Sequence, residues 1–223
     1  MKTVLITGIN KGIGKALSQK FLAEGFEVIG TIYDSEIADT NPKLTVIKLD
    51  LSSSESIAHC TDQIISSNKK IDILINNAGI LCDENDTTVI VDKLRETLNT
   101  NLIGVIDFTE HLISSIEKGG HIINMSSTAG SLHKTERGES HLPYHYPAYK
   151  ISKAGLNMYT ATLALRLKNE VTVSSVHPGW VKTDIGGDKA EITPEQASES
   201  IYNFAISSPE TGKFWFDGKR LEW

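Results

Sequence analysis

The chain has 223 residues, of which 39% are hydrophobic and 22% charged, and its formal net charge is −6 at pH 7. This balance predicts one globular domain with a sizeable core and excludes a disordered or low-complexity chain. A net negative charge without a cluster of basic residues disfavours nucleic acid and anionic membrane surfaces as partners.

Six apolar runs bounded by turn residues predict buried parallel strands. They lie at residues 4–6, 26–32, 44–49, 71–75, 120–125 and 171–176. The segments between them are long enough for crossover helices, which we expect at residues 12–24, 54–67, 91–117 and 147–168. Alternating strands and helices predict an α/β fold, with a doubly wound parallel sheet flanked by helices.

The last part of the chain extends this pattern. A further helix is predicted over residues 194–206, with Thr193 as its N-cap and Pro194 at its first position. Residues 214–216 could then close the sheet, which gives about seven strands. Because no repeat or linker divides the sequence, we expect a single domain over residues 1–223.

The N-terminus and the cysteines indicate the cellular compartment. The apolar run at residues 4–6 soon meets Gly8 and charge, unlike a signal peptide or a membrane span. Cys60 and Cys82 are too few for a disulfide scaffold and lack the spacing of a zinc site, which fits a reducing environment. The cytoplasm is therefore the expected location.

A polar, irregular stretch at residues 131–146 falls where a parallel sheet presents its carboxyl edge, at which ligands bind in such folds. Two interpretations remain open, a solvated surface loop and a loop that contacts substrate. Its histidines, His133, His141 and His145, are spaced too widely to indicate zinc geometry, so no metal is predicted.

A glycine cluster directly follows the first predicted strand and opens the first predicted helix. In TGINKGIG (residues 7–14), Gly8 allows a tight strand exit, Gly12 lets the backbone approach a pyrophosphate, and Gly14 allows close helix packing. Amides of the helix N-terminus would receive the phosphate charge. This context predicts a dinucleotide site.

The same segment resembles the glycine motif of the short-chain dehydrogenase/reductase family, and other motifs of that family follow in order. They are an acidic position at Asp50-Leu51, NNAG at Asn76-Asn77-Ala78-Gly79, an asparagine at Asn101, a serine pair at Ser126-Ser127, YxxxK at Tyr149 and Lys153, and PGxVxT at Pro178-Gly179-Trp180-Val181-Lys182-Thr183. Each match is weak alone, and their ordered co-occurrence makes the case. The resemblance covers nearly the whole chain and implies a Rossmann-like sheet.

The resemblance also assigns roles to these residues. It implies that the catalytic residues are Asn101, Ser127, Tyr149 and Lys153, with Ser127 holding the substrate oxygen and Asn101 supporting a proton-relaying water. Lys153 would also bind the nicotinamide ribose, and Asp50 would hold the adenine ring. Besides Tyr149 and Lys153, the cofactor-binding residues are predicted to be Gly8, Asn10, Lys11, Gly12, Ile13, Gly14, Asp50, Leu51, Asn77, Ala78, Gly79, Pro178, Gly179, Val181 and Thr183.

Carbonyl chemistry explains why these residue types are needed. A carbonyl that accepts hydride develops negative charge on oxygen, so an acid must deliver a proton. For the candidate acid Tyr149, a pKa shift from about 10 to near 7 requires roughly 4 kcal/mol of preferential phenolate stabilisation. Lys153 lies on the same helix face and can supply much of it, and an oxidised nicotinamide can add to it. His177 is then expected to be a packing residue, because Tyr149 already fills the acid's role.

Two segments narrow the resemblance further. Residues 212–223, with a DGxxLxW pattern, and residues 177–187 resemble C-factor-like proteins and sniffer-type carbonyl reductases. The implied activity is NAD(P)-dependent hydride transfer between nicotinamide and a small carbonyl or alcohol, by a homodimer or homotetramer. The alternative is an NAD(P)(H)-binding signalling or redox-sensing protein with little turnover.

The end of the second predicted strand bears on cofactor choice. An acid there binds the ribose hydroxyls and repels a 2′-phosphate, whereas this chain places Ile32 at that position. Lys11 could pair with the phosphate, so NADP(H) is favoured over NAD(H). The predicted preference is moderate, because Tyr33 stands where many NADP-preferring relatives carry Arg. A small shift of the strand end would bring Asp34 to the ribose and favour NAD.

Overall fold

The computed structural model of the protein describes residues 1–34, 37, 41–138 and 145–223. Its strands are β1 (Thr3–Ile6), β2 (Glu27–Ile32), β3 (Leu44–Lys48), β4 (Ile71–Asn76), β5 (Ile116–Met125), β6 (Thr172–Val176), β7 (Lys213–Phe216) and β8 (Lys219–Leu221). Its helices are α1 (Gly12–Ala23), α2 (Ser54–Ser66), α3 (Val91–Leu98), α4 (Gly104–Leu112), α5 (Leu132–Glu136), α6 (Pro147–Arg166) and α7 (Pro194–Ala205), with short helical turns at Asn99–Ile103, Ile113–Ser115 and Thr128–Gly130. None of the helices in these ranges is long and apolar enough to cross a membrane.

The strands of the described chain form one sheet in the order β3-β2-β1-β4-β5-β6-β7-β8. Neighbouring strands are parallel except for β8, which runs antiparallel to β7. The chain builds outward from β1 through β2 and β3, then from β4 to β7 on the other side, so the strand order reverses beside β1. Ligands of α/β sheets bind outside the carboxyl ends of the strands at such a reversal. The predicted doubly wound α/β sheet is confirmed, with eight strands instead of about seven.

Alternating side chains of the strands form two apolar clusters, one on each face of the sheet. Leu5 of β1 belongs to the cluster shared with α2, α4 and α6, whereas its neighbours Val4 and Ile6 belong to the cluster shared with α1 and α7. This alternation follows from strand geometry, because successive side chains point to opposite faces. The helices therefore cover both faces, and the carboxyl edge of the sheet is where a ligand can approach.

The helix predicted near residue 194 is confirmed together with its N-cap. The Thr193 hydroxyl accepts a hydrogen bond from the amide of Gln196 (3.3 Å), and the Gln196 side chain accepts one from the amide of Thr193 (2.9 Å). Pro194 occupies the first helical position. α7 then packs against α1, where the rings of Tyr202 and Phe21 lie 5.0 Å apart.

The helix predicted over residues 91–117 is divided in the structure. A π-helical turn, Asn99–Ile103, separates α3 from α4. Within it the side chain of Asn101 hydrogen-bonds the backbone of Ile80, a tertiary contact that local sequence patterns do not encode. Residues 116–119 belong to β5, because β5 pairs with β4 from its first residue onward.

The capping box of α7 yields a test of stability. Thr193→Ala should lower the free energy of unfolding by about 1 kcal/mol, because an amide of the first turn loses its acceptor. For a chain of this size that corresponds to a fall of roughly 2–4 °C in Tm. Thr193→Ser keeps the hydroxyl and serves as the control. Equal thermal denaturation curves for the Ala and Ser variants would contradict the assigned role of the cap.

Candidate active site

The chain passes from β1 into α1 through the glycine turn, residues 7–14. Gly8 has a φ of +74°, and a Cβ at this position would lie 3.1 Å from the Cβ of Ala78. A Cβ at Gly14 would collide with the carbonyl oxygen of Gly8, so only glycine lets the helix begin this close to the strand. Among the described residues no side chain caps α1 at Lys11, and its first turn has no acid. This arrangement fits the pyrophosphate of a dinucleotide.

The ends of β1 and β4 are joined at the strand-order reversal by Thr7 and Asn77. The Thr7 hydroxyl accepts hydrogen bonds from the amides of Asn77 and Ala78, both at 2.9 Å. The Asn77 side chain donates to the carbonyl of Thr7 at 2.8 Å. The NNAG segment and the glycine turn are therefore fixed to each other, as their predicted roles in one cofactor site require.

Asp50 and Leu51 follow β3 at the same edge of the sheet. The Asp50 carboxylate accepts hydrogen bonds from the amide and the hydroxyl of Ser52, at 2.8 and 2.7 Å. Leu51 is buried, and its carbonyl oxygen packs closely against Gly104 at the start of α4. A Cβ at Gly104 would collide with this oxygen. Local contacts thus fix both residues at the edge where we predict the adenine ring.

Tyr149 and Lys153 lie one turn apart on α6, as the YxxxK spacing predicts. The Lys153 Nζ lies 5.4 Å from the centre of the Tyr149 ring and donates a hydrogen bond to the carbonyl of Met125 at 2.8 Å. The Ser127 hydroxyl interacts with the Tyr149 hydroxyl and stabilises its charged form. The structure therefore brings three of the four predicted catalytic side chains together in the lining of one cleft.

The structure distinguishes the two serines that follow β5. Ser126 is buried, and its hydroxyl donates to the side chain of Asn157 on α6 at 2.6 Å. Ser127 contacts Tyr149, and its hydroxyl also accepts from the amide of Ala129 at 3.1 Å. Ser126 thus serves packing against α6, and Ser127 is the serine that reaches the cleft tyrosine.

Burial shifts the pKa of both groups on α6. It raises the pKa of the Tyr149 hydroxyl above its usual range, with Tyr146 adding to the effect and the Ser127 hydrogen bond opposing it. It lowers the pKa of the Lys153 ammonium to about 8. The protein groups alone therefore shift the pKa of the phenol in the direction opposite to the one expected, because burial outweighs the interaction with Ser127. The Lys153 ammonium donates its hydrogen bond to the Met125 carbonyl.

Asn101, the fourth predicted catalytic residue, is buried in the π-helical turn. Its Oδ1 accepts from the amide of Ile80 and its Nδ2 donates to the Ile80 carbonyl, both at 2.8 Å. The same Nδ2 also donates to the Ser152 hydroxyl on α6 at 3.3 Å. Asn101 therefore reaches the YxxxK helix through Ser152, and it holds the segment that follows NNAG.

A cleft of about 720 Å³ opens at the carboxyl edge and joins much of the predicted site. Leu81, Glu84, Asn85 and residues 185–189 extend its walls beyond the predicted set. The predicted residues that line it are Ile13, Asn77, Gly79, Ser127, Tyr149, Lys153, Pro178, Gly179, Val181 and Thr183. The predicted residues outside this lining are Gly8, Asn10, Lys11, Gly12, Gly14, Asp50, Leu51, Ala78 and Asn101.

The segment after β6 forms one side of the cleft and contacts the glycine turn. A Cβ at Gly12 would lie 3.2 Å from the Cγ2 of Thr183. Asp184, the next residue, forms an ion pair with Lys11. Lys11 thus has a carboxylate partner in the protein, with which a 2′-phosphate would compete.

The polar stretch at residues 131–146 is described only in part, since residues 139–144, including His141, lie outside the described residues. Its first part contains α5, and two hydrogen bonds join the start of this helix to the carbonyls of Glu222 and Trp223. The C-terminal segment therefore holds the beginning of the stretch. Whether the stretch contacts substrate stays a prediction.

His177, the histidine that precedes the PG pair, has a packing contact in the structure. The ring of His177 lies 5.0 Å from that of Phe216, which agrees with the packing role expected for it, although it also lines the cleft. In the ranges that the structure describes, no three His, Cys, Asp or Glu side chains gather as they would around a metal ion.

Two residues that the sequence reasoning missed hold the YxxxK helix. The Ser152 hydroxyl donates to the carbonyl of Tyr149 at 2.8 Å and accepts from Asn101. Asp83 is 1% exposed, and its carboxylate accepts a hydrogen bond from the amide of Ala148 at 2.6 Å. Ser152 stands inside the YxxxK motif, where its position could have been noticed. Asp83 lies 65 residues from Ala148, and no local pattern indicates this contact.

Known proteins resemble this chain over its whole length. Residues 2–193 match the profile of the short chain dehydrogenase family. Carbonyl reductase (NADPH) 1 of Mus musculus is 26% identical, over 98% of this chain and 97% of its own. Two solved structures are each 27% identical and cover 100% of this chain. The NADPH-bound carbonyl reductase from chicken fatty liver has a TM-score of 0.89, with 94% of its chain covered. The carbonyl reductase Sniffer of D. melanogaster has a TM-score of 0.87, with 100% covered.

The family profile, the relatives and the fold agree with the glycine turn and the YxxxK helix described above. The chain therefore belongs to the short-chain dehydrogenase family and is an NAD(P)-dependent oxidoreductase.

Proposed function

We propose that this enzyme reduces small carbonyl compounds, or oxidises the corresponding alcohols, with Tyr149 as general acid or base. The observation that carries the proposal is that Tyr149, Ser127 and Lys153 line one cleft, with the Lys153 ammonium 5.4 Å from the centre of the Tyr149 ring. A proton donor, a second hydroxyl and a cation meet there. Such a set suits a carbonyl oxygen that gains negative charge.

In the direction of reduction, a bound nicotinamide supplies the hydride. The Ser127 hydroxyl donates a hydrogen bond to the carbonyl oxygen, and the Tyr149 hydroxyl delivers the proton. Because burial raises the pKa of Tyr149, the phenol keeps its proton at neutral pH until the developing alkoxide takes it. The Lys153 ammonium then stabilises the phenolate that remains.

Asn101 acts in this proposal through Ile80 and Ser152. Its amide uses one lone pair of the Ile80 carbonyl, and a carbonyl oxygen has two. A relaying water could therefore hydrogen-bond the same oxygen, as the family resemblance implies. The hydrogen bonds of Asn101 also keep this carbonyl in place.

A signalling protein with little turnover is not favoured. The mouse, chicken and fly relatives are named as carbonyl reductases. A protein that only bound NAD(P)(H) would need no proton donor, whereas here Tyr149, Ser127 and Lys153 are assembled in the cleft. Steady turnover with a panel of carbonyl compounds would separate the two functions.

For the cofactor we propose NADP(H) over NAD(H), bound by the residues assigned above. β2 ends at Ile32, which is buried, so the strand end itself carries no acid to repel a 2′-phosphate. Tyr33 follows and is exposed. The names of the mouse and chicken relatives include NADPH. Lys11 is the cation that we assign to the phosphate.

We extend the proposal to a cytoplasmic homodimer or homotetramer. Apolar side chains are exposed along one face of α6 and on the neighbouring π-helical turn, and a second copy of the chain could cover them. These side chains are Ile103, Ile151, Met158 and Leu165.

Tyr149→Phe tests the proposed reaction. Turnover should fall at least about a hundredfold, since a positioned general acid is removed, while the protein still folds and, because the ring is retained, still binds the cofactor. The loss of NADPH absorbance with a panel of small ketones and aldehydes measures it. Tyr159→Phe is the matched control, because Tyr159 lies on the same helix and its hydroxyl donates to Glu110. Near-normal turnover of Tyr149→Phe would reject the mechanism.

Lys153→Met tests the burial of the ammonium. Burial lowers the pKa of Lys153 from 10.5 to about 8, so the unfolded chain binds this proton more tightly. The charged form is penalised in the folded protein below pH 8, and stability is regained as the pH rises towards 10.5. Between pH 8 and pH 10.5, the free energy of unfolding of the wild type should therefore rise by roughly 3 kcal/mol relative to that of Lys153→Met.

Urea unfolding of both proteins at the two ends of the interval provides the measurement. Lys15→Met, on the exposed side of α1, controls for the loss of a lysine. Parallel pH trends for the wild type and Lys153→Met would contradict the assigned burial effect. Lys153→Met should also weaken both cofactor binding and turnover, since one ammonium serves both.

Lys11→Ala tests the cofactor preference. A charge-assisted hydrogen bond to the 2′-phosphate is worth about 1.5 to 3 kcal/mol, so NADPH binding should weaken roughly ten- to a hundredfold. NADH binding should stay nearly unchanged. Titration of both cofactors by fluorescence measures this, with Lys15→Ala one turn along α1 as the control. Tighter NADH binding by the parent, or equal losses for both cofactors, would refute the assignment.

A further inference from the structure

The helix that carries Tyr149 begins without a cap of its own. Its N-cap residue, Tyr146, has a φ of +22° and makes no side-chain capping hydrogen bond. Pro147 at the first position has no amide hydrogen. The first N–H that the helix presents is therefore that of Ala148, which is buried and directly precedes Tyr149. A buried helix end of this kind needs an acceptor from elsewhere.

Asp83 supplies this acceptor from a distant part of the sequence. Its Oδ2 lies 2.6 Å from the amide nitrogen of Ala148, and its side chain is 1% exposed. A carboxylate at a helix N-terminus gains from the charge-assisted hydrogen bond and from the positive end of the helix dipole. Burial strengthens both effects, because little water screens them.

The segment that carries Asp83 is itself fixed to other elements of the site. The Asn101 side chain hydrogen-bonds both the amide and the carbonyl of Ile80, three residues before Asp83. The thiol of Cys82 lies 3.0 Å from the hydroxyl of Thr97 on α3. Asp83 therefore projects from a backbone that Asn101 and α3 already hold.

The turn of α6 that bears Tyr149 is thus held from two directions. Asp83 holds the amide of Ala148 just before Tyr149, and the Ser152 hydroxyl hydrogen-bonds the carbonyl of Tyr149 itself. Ser152 is joined in turn to Asn101. Both connections lead to the π-helical turn, so the position of the phenol depends on contacts that begin at Asn101.

We propose that Asp83 is a positioning residue for Tyr149, which caps α6 in place of a local N-cap and fixes the turn that presents the phenol to the substrate. This inference rests on the proposed role of Tyr149. Proton delivery depends steeply on geometry, and a displacement of about 1 Å can lower the rate about a hundredfold. Asp83 therefore acts on turnover through the backbone of α6, with little effect on cofactor affinity.

Two substitutions separate the capping hydrogen bond from the charge. Asp83→Asn keeps an oxygen that can accept from Ala148, removes the negative charge, and places its amide nitrogen at Oδ1, which is buried and has no hydrogen-bond partner among the described residues. Asp83→Ala removes the acceptor. We expect Asp83→Ala to lower kcat about tenfold or more and Asp83→Asn to restore most of it, with NADPH affinity within about twofold in both. If Asp83→Ala does not fold, Asp83→Val keeps more of the volume without an acceptor.

Asp86→Ala is the matched control on the same segment. Asp86 pairs with Lys93 of α3 at 2.7 Å and lies three residues from Asp83. Its loss should loosen the segment without uncapping α6, so kcat should stay within about twofold. Equal losses of kcat in Asp83→Ala and Asp86→Ala would overturn the proposal, and so would an unchanged kcat in Asp83→Ala.

A second readout does not depend on activity. Hydrogen exchange of the amides at residues 148–150 should accelerate in Asp83→Ala and stay slow in Asp83→Asn. Equally slow exchange in both variants would overturn the capping role. Tyr149→Phe, measured in the same series, tests the proposed function separately. Full activity of Tyr149→Phe would reject Tyr149 as the general acid, but it would leave the capping of α6 by Asp83 untouched. Activity lost in Tyr149→Phe but retained in Asp83→Ala would reject the positioning role alone.

Discussion

The hydrogen bonds of the Thr7 hydroxyl across the strand-order reversal are the interaction on which the site depends. Thr7 is 1% exposed, and its oxygen accepts the amides of Asn77 and Ala78. Loss of that acceptor would leave two amides unsatisfied, at about 1–3 kcal/mol each where they are buried. The glycine turn after β1 and the NNAG segment after β4 keep their relative positions through these contacts. The other parts of the cleft, after β5 and β6, reach the same edge because all these strands are parallel.

Burial has opposite consequences for the two ionisable groups of α6. It raises the pKa of Tyr149 and lowers that of Lys153, because each group is less stable in its charged form away from water. In the proposed reaction, proton transfer from Tyr149 would create a phenolate beside the ammonium, in a region where Coulomb interactions are stronger than in water. The attraction between the two charges is therefore largest after the proton has left. In the proposed reaction this stabilisation would accelerate the chemical step, because it is stronger after proton transfer than in the resting site, where Tyr149 is neutral.

Features set by local chemistry could be predicted from the sequence, and features set by contacts between distant segments could not. The glycine turn and the cap at Thr193 depend on residues within a few positions of one another, and the structure contains both. The π-helical turn exists where Asn101 meets Ile80, 21 residues away, and the same region was predicted as one continuous helix. The cap at Asp83 joins segments 65 residues apart. The motifs indicated side chains that the structure places at the cleft, Ser127, Tyr149 and Lys153, but not the contacts that hold them.

The ion pair between Lys11 and Asp184 bears on how strongly a 2′-phosphate can be selected. Both side chains are largely exposed, at 69% and 74%, so solvent screening keeps this ion pair weak. A charge-assisted hydrogen bond from Lys11 to a phosphate is worth about 1.5 to 3 kcal/mol, so in the proposed complex a 2′-phosphate would displace Asp184 at a net gain. Because the ion pair with Asp184 must be broken, the net gain from binding the phosphate is smaller than the full value of its hydrogen bond. Because Tyr33 offers no second cation at the end of β2, the remaining difference corresponds to the moderate preference for NADP(H) proposed above.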